Sequence, residues 1–139
     1  MLVLDTNVLS EVLKPEPNAQ VQAWLQAQPP ASVFTTAITQ AEILYGIALL
    51  PKGRRQGALL TAAVMMFEEE FRGRVLPFDS EAASIYATLA AGRRQGGQPV
   101  SFADAQIAAI TQSRGGRLAT RNVRDFADCG VEIINPWDA

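Results

Sequence analysis

Apolar positions along the chain follow two periods. Leu2-Val3-Leu4 is a short unbroken apolar run closed by Asp5, the pattern of a strand buried on both faces. Val33-Phe34-Thr35-Thr36, Val75 to Phe78, Leu118-Ala119-Thr120 and Val131 to Ile134 are further strand-like runs,. Between them the period lengthens to that of helices. A first helix is predicted from Thr6 to Leu13, stopped by Lys14-Pro15, and a second from a cap at Asn18 through Gln26, with Val21, Trp24 and Leu25 on one face,. A third runs from Thr39 to Leu50, ended by Pro51-Lys52-Gly53, and a fourth from Gly57 to Phe71. Ser80 caps a fifth through Arg94, closed by Gly96-Gly97, and Ser101 caps a sixth through Ser113,.

Short apolar strands alternating with helices imply right-handed crossovers and a buried, mainly parallel sheet covered by helices. The 139 residues show no repeat, low-complexity segment or long linker, so a single α/β domain over residues 1–139 is expected,. No apolar run approaches the roughly 20 residues that span a bilayer. The opening MLVLDTNVLS lacks the basic region of a signal peptide,. A lone Cys129 excludes an internal disulfide and suits a reducing compartment, so a cytoplasmic location is expected,.

A formal net charge of −2 is not that of a protein held to nucleic acid by bulk electrostatics,. Yet among the 12 basic residues only Lys14 and Lys52 are lysine; the rest are arginine, with Arg54-Arg55, Arg93-Arg94, Arg114/Arg117 and Arg121/Arg124 close together. The guanidinium fork suits phosphate, although Arg93-Arg94 and Arg114 also fit last helical turns. The chain has no histidine, which excludes a histidine pair or a Ser-His-Asp triad. A zinc site has almost no ligands to draw on, and the P-loop and G-x-S-x-G patterns are absent. Any chemistry here must rest on carboxylates.

Four acids share one kind of place. Asp5 ends the first strand; Glu42 lies three residues after Thr39, Asp104 three after Ser101, and Asp125 three after Asn122. In a parallel sheet such positions line the carboxyl edge, where open α/β folds take ligands. Each acid alone also fits a cap or a first-turn acid. Together they would raise one another's pKa unless a cation neutralised them. An all-oxygen site suits Mg²⁺ or Mn²⁺, which can activate a water and stabilise charge on a phosphate.

The blocks LVLDTNVLSEVLK, TTAITQAEILYGI, SFADAQIAAI and ATRNVRDFADCGVEIINPW together resemble the PIN-domain family, most closely the VapC-like and FitB-like toxins of bacterial toxin–antitoxin pairs. The resemblance runs from Met1 to Trp137. It implies a three-layer α/β/α fold with a mainly parallel five-stranded sheet, and a Mg²⁺- or Mn²⁺-dependent endoribonuclease. It also implies an antitoxin partner, a homodimer, and a toxin–antitoxin complex able to bind operator DNA. Asp5, Glu42 and Asp104 match the family's acidic triad, with Asp5 and Asp104 as principal metal ligands. Many relatives carry Asp where this chain has Asn122, while those with the T-R-N-x-x-D-F pattern have an acid at Asp125. Thr6 and Asn7 fit as polar support for Asp5, and Thr120 as a group orienting a ligand or water. The alternatives are a related DNA nuclease, or a non-catalytic subunit acting on operator DNA.

Overall fold

The computed structural model describes residues 1–139. Five strands form one wholly parallel sheet: β1 (Leu2–Leu4), β2 (Val33–Thr36), β3 (Val75–Leu76), β4 (Arg117–Ala119) and β5 (Glu132–Ile134), in the order β3-β2-β1-β4-β5. β1 is central, with Val3 in register with Phe34 on one side and Leu118 on the other. The strand order reverses between β1 and β4. Such a reversal opens a crevice at the carboxyl ends of the strands, because the connections there leave in opposite directions.

Six helices cover the sheet: α1 (Thr6–Val12), α2 (Ala19–Gln26), α3 (Ala37–Ala48), α4 (Arg54–Met65), α5 (Ser80–Gln95) and α6 (Phe102–Ser113). Strand side chains alternate between faces, and β1 shows the consequence. Leu2 and Leu4 join a core with Val8, Leu9, Val21, Ile43, Ile47 and Phe67, contributed by α1 to α3 and the turn beyond α4. Val3 points the other way, packing with Leu118, Ile107, Ile110 and Phe126. The result is the expected three-layer arrangement. No helix is long and apolar enough to cross a membrane.

The structure moves several predicted boundaries, shortening β3 to Val75–Leu76 and ending α3 at Ala48. Thr36, not Thr39, caps α3: its Oγ1 accepts from the Thr39 N–H at 3.1 Å. Thr39 is itself fully buried within the helix. Asp79, not Ser80, caps α5, accepting from the Ala82 N–H at 3.0 Å. The fourth helix starts earlier than predicted, at Arg54 after Gly53, and beyond Met65 it widens into a π-helical turn over Met66–Glu70. That turn buries Met66 and Phe67 while Glu68, Glu69 and Glu70 stay exposed.

Candidate active site

Asp5 leaves β1 in extended conformation and caps α1, its Oδ1 accepting from the Val8 N–H at 3.1 Å. Its main-chain N–H continues the β1–β4 pairing by donating to the Ala119 carbonyl at 3.0 Å. Just past β4, the Thr120 hydroxyl donates to Asp5 Oδ2 at 2.5 Å. With 3 % exposure, the carboxyl is almost sealed from water. Burial pushes its pKa up to about 6, and Asp104 adds to the rise. The Thr120 and Val8 hydrogen bonds oppose that rise without cancelling it,.

Asp104 sits in the first turn of α6, where its main-chain N–H donates to the capping Ser101 Oγ at 3.2 Å. Its carboxyl is raised above the ordinary range, first by burial and then by the charges of Glu42 and Asp125; the Ser101 hydroxyl opposes this. Glu42 is solvent-exposed on the second turn of α3. The Thr6 hydroxyl donates to Glu42 Oε1 at 2.6 Å and lies 3.2 Å from Thr39 Oγ1. Because α3 starts at Ala37, Glu42 lies too far along to belong to a capping box. Asp125 is exposed in the short 3₁₀ turn Val123–Phe126, which follows Asn122.

The sheet edge therefore brings Asp5, Asp104, Glu42 and Asp125 into one electrostatic neighbourhood. Neither ion pair of the molecule, Lys14–Glu11 at 3.0 Å and Arg114–Asp79 at 3.6 Å, touches any of them. As the side chains stand, no three acids are close enough to grip one ion. Glu42 and Asp125 are the two exposed members of the group. The donor chemistry fits a small hard divalent cation: all ligands are oxygens, and carboxylate oxygens that already accept one hydrogen bond keep further lone pairs. The two less exposed carboxyls, Asp5 and Asp104, are those a cation would relieve most.

The predicted supporting residues divide among different tasks. Thr120 serves Asp5, and its Oγ1 also accepts from the Asn122 N–H at 3.0 Å, so these two positions form one relay. Thr6 contacts Glu42 rather than the Asp5 carboxyl. Asn7 acts on Asp5 through its main chain, while its side chain lines a polar pocket with Arg121 and Asn122. Sequence reasoning missed Glu11. It is nearly buried, held below the ordinary carboxylate range first by Lys14 and then by the Asn18 N–H at 3.0 Å. The only signal was the Glu11–Lys14 spacing, which places the pair on one helix face.

Beside the acids, an apolar cleft of about 550 Å³ opens between α1, α3 and α4. Leu13, Ile43, Ile47, Leu50 and Leu59 line it, with Thr6 and Glu42 at the end nearest the acids. Gly46 also lines it, and a Cβ there would meet no atom within 4 Å.

Comparison with known proteins assigns the class. The PIN-domain family model matches residues 2–131, and this chain belongs to the PIN-domain family. It is 41 % identical over 138 residues to the VapC ribonuclease Y4jK of Sinorhizobium fredii, covering 99 % of both chains. To the toxin FitB of Neisseria gonorrhoeae it is 39 % identical over 137 residues, again covering 99 % of each. It also superimposes on a chain in the structure of FitAB bound to an IR36 DNA fragment, with TM-score 0.92, 39 % identity and coverage of 99 % of this chain and 96 % of that one.

Proposed function

We propose that this protein is a divalent-metal-dependent endoribonuclease, the toxin of a toxin–antitoxin pair. The observation that carries the reading is Asp5: a carboxyl sealed at the switch point of the sheet, raised to about 6, next to Asp104 and without a cationic partner. A buried carboxylate in such surroundings costs stability unless something positive meets it. Asp5 and Asp104 would hold Mg²⁺ or Mn²⁺, with Glu42 and Asp125 completing the set. Bound there, the ion supplies a water of lowered pKa and offsets charge developing on a phosphate. Thr120 fixes the orientation of Asp5, and Thr6 fixes that of Glu42. The expected products carry a 3′-hydroxyl and a 5′-phosphate.

The similarity to a VapC ribonuclease and to the toxin FitB supports RNA as substrate and a toxin role. The apolar cleft between α1, α3 and α4 suits the nonpolar face of an antitoxin helix. A homodimer, and a toxin–antitoxin complex on operator DNA, complete this reading, which the FitAB–DNA structure supports by analogy. The test is cleavage of single-stranded and structured RNA, alongside branched DNA, by the purified protein with Mn²⁺ or with chelator. Metal-dependent cleavage of RNA but not DNA is expected. Turnover in chelator would overturn the metal reading, and preference for DNA would overturn the substrate reading.

A further inference from the structure

A second concavity adjoins the cleft along α1, sharing Ser10 and Lys14 with it. It encloses about 300 Å³ and is lined by Asn7, Ser10, Lys14, Arg121 and Asn122, with Glu11 and Trp137 forming its wall. Its position is tied to the acids twice. Asn7 follows Asp5 by two residues, and the Asn122 N–H donates to the same Thr120 hydroxyl that donates to Asp5.

Its ionisable groups, Glu11, Lys14 and Arg121, leave one cation in excess. Glu11 is neutralised locally by Lys14 Nζ at 3.0 Å and the Asn18 N–H at 3.0 Å. Arg121 takes part in neither ion pair of the molecule, although its charge helps to keep Glu11 ionised. Its guanidinium carbon lies 5.0 Å from the centroid of the Trp137 ring, an arrangement that holds the cation in place while its N–H edges stay free. No hydrogen bond within the protein uses the side chains of Asn7, Ser10 or Asn122. A stacked cation and three uncommitted polar side chains thus converge on one cavity.

We propose that this pocket binds a backbone phosphate of the RNA next to the one being cleaved, with Arg121 as its principal contact. The proposal rests on the ribonuclease reading above and adds a subsite to it. A guanidinium lying over an aromatic ring keeps an edge of paired N–H donors open, and a phosphate can accept from such an edge bidentately,. Asn7, Ser10 and Asn122 supply the neutral donors that position a phosphate without reading its base. Such a contact raises affinity along the whole strand and adds to its salt dependence.

The test compares the wild-type protein with Arg121→Gln, Arg121→Lys and Lys14→Gln, using a fluorescently labelled single-stranded RNA of mixed sequence. Binding is first measured by anisotropy in chelator, across a range of salt. Arg121→Gln is expected to weaken binding roughly tenfold and to reduce the log–log salt slope by about 0.7, the loss of one phosphate contact on a single strand. Arg121→Lys should keep the slope while losing part of the affinity, and Lys14→Gln should weaken binding without disturbing Trp137. With Mn²⁺, Arg121→Gln should raise KM by about the same factor and change kcat less than about twofold. Unchanged affinity and slope overturn the proposal, as does a fall in kcat at constant KM. A loss confined to binding of the antitoxin overturns it too. If the wild-type protein binds RNA through Arg121 yet cleaves none, the nuclease reading fails and the pocket stands. If it cleaves RNA and Arg121→Gln is indifferent, the reverse holds.

Discussion

The Thr120 hydroxyl reaches across 115 residues of sequence to donate to Asp5 Oδ2 at 2.5 Å, joining the ends of β1 and β4 at the point where the strand order reverses. This bond lowers the pKa of a carboxyl that burial raises to about 6. Thr120→Val keeps the shape and deletes the donor. Its Asp5 should titrate higher still, moving the acid limb of any pH–activity profile to higher pH and weakening Mn²⁺ binding near neutrality by roughly 10- to 100-fold. Thr120→Ser should restore both. Carboxyl ¹³C chemical shifts, followed against pH, measure the titration; an Asp5 that titrates as in the wild type would refute the role given to Thr120.

Asp5 also sets a pH dependence of stability in the metal-free protein. Its folded pKa, about 6, lies above the ordinary value of 3.8, so between those values the folded state binds more protons than the unfolded one. Stability therefore falls as pH rises through that window, by up to about 3 kcal/mol from this group. Asp5→Asn, which can still cap α1, should be more stable than wild type at pH 7 without metal, and should flatten this part of the profile. Added Mn²⁺ should raise the melting temperature of the wild type and leave Asp5→Asn almost unmoved. Denaturant melts at several pH values, with and without Mn²⁺, check each point; an Asp5→Asn protein less stable at pH 7 would contradict the cost assigned to the buried charge.

Glu42 and Thr6 behave as a unit, joined by the 2.6 Å hydrogen bond between α1 and α3. Thr6→Val should cost roughly 10- to 100-fold in metal affinity or turnover, the usual effect of removing a residue that orients a ligand. Glu42→Gln can keep the bond from Thr6 and so should fold normally, yet lose more activity than Thr6→Val. A Glu42→Gln enzyme with wild-type kcat would remove Glu42 from the site.

Much of this arrangement is legible in the sequence because short apolar strands and helix periods encode local structure directly. The β1–Asp5 junction and the Ser101 cap of α6 are set by neighbouring residues and appear where the pattern predicts. The cap of α3 is different. TTAITQAE holds three threonines, Thr35, Thr36 and Thr39, and Thr39-x-x-Glu42 imitates a capping box,. Thr36 takes the cap because β2 carries it, buried, to the strand end, leaving Thr39 inside the helix. The sequence also cannot tell which acid Thr6 serves. That depends on how α1 packs against α3, a contact between residues 36 positions apart. Glu11 was hidden for a related reason: only the fold of the Lys14–Asn18 loop turns a surface-type acid into a nearly buried one.

The cleft between α1, α3 and α4 gives a separate prediction through Gly46, where an added side chain meets empty space. Gly46→Leu would project into the cleft and remove a helix-interior glycine, which costs roughly 0.5–1 kcal/mol relative to alanine. The melting temperature should hold or rise, while affinity for the antitoxin falls more than about tenfold. Titration calorimetry against the partner decides the matter; undiminished affinity would place the antitoxin elsewhere.

On the function proposed above, Asp5 and Asp104 hold a divalent ion on which RNA cleavage depends. The most direct measurement is Mn²⁺ titration of the wild type, Asp5→Asn and Asp104→Asn by calorimetry, with RNA cleavage followed on the same samples and folding checked by circular dichroism. Both folded variants should lose Mn²⁺ binding and cleavage together, while the wild type shows both. A folded Asp104→Asn protein that cleaves RNA at the wild-type rate, or binds Mn²⁺ undiminished, would contradict the account.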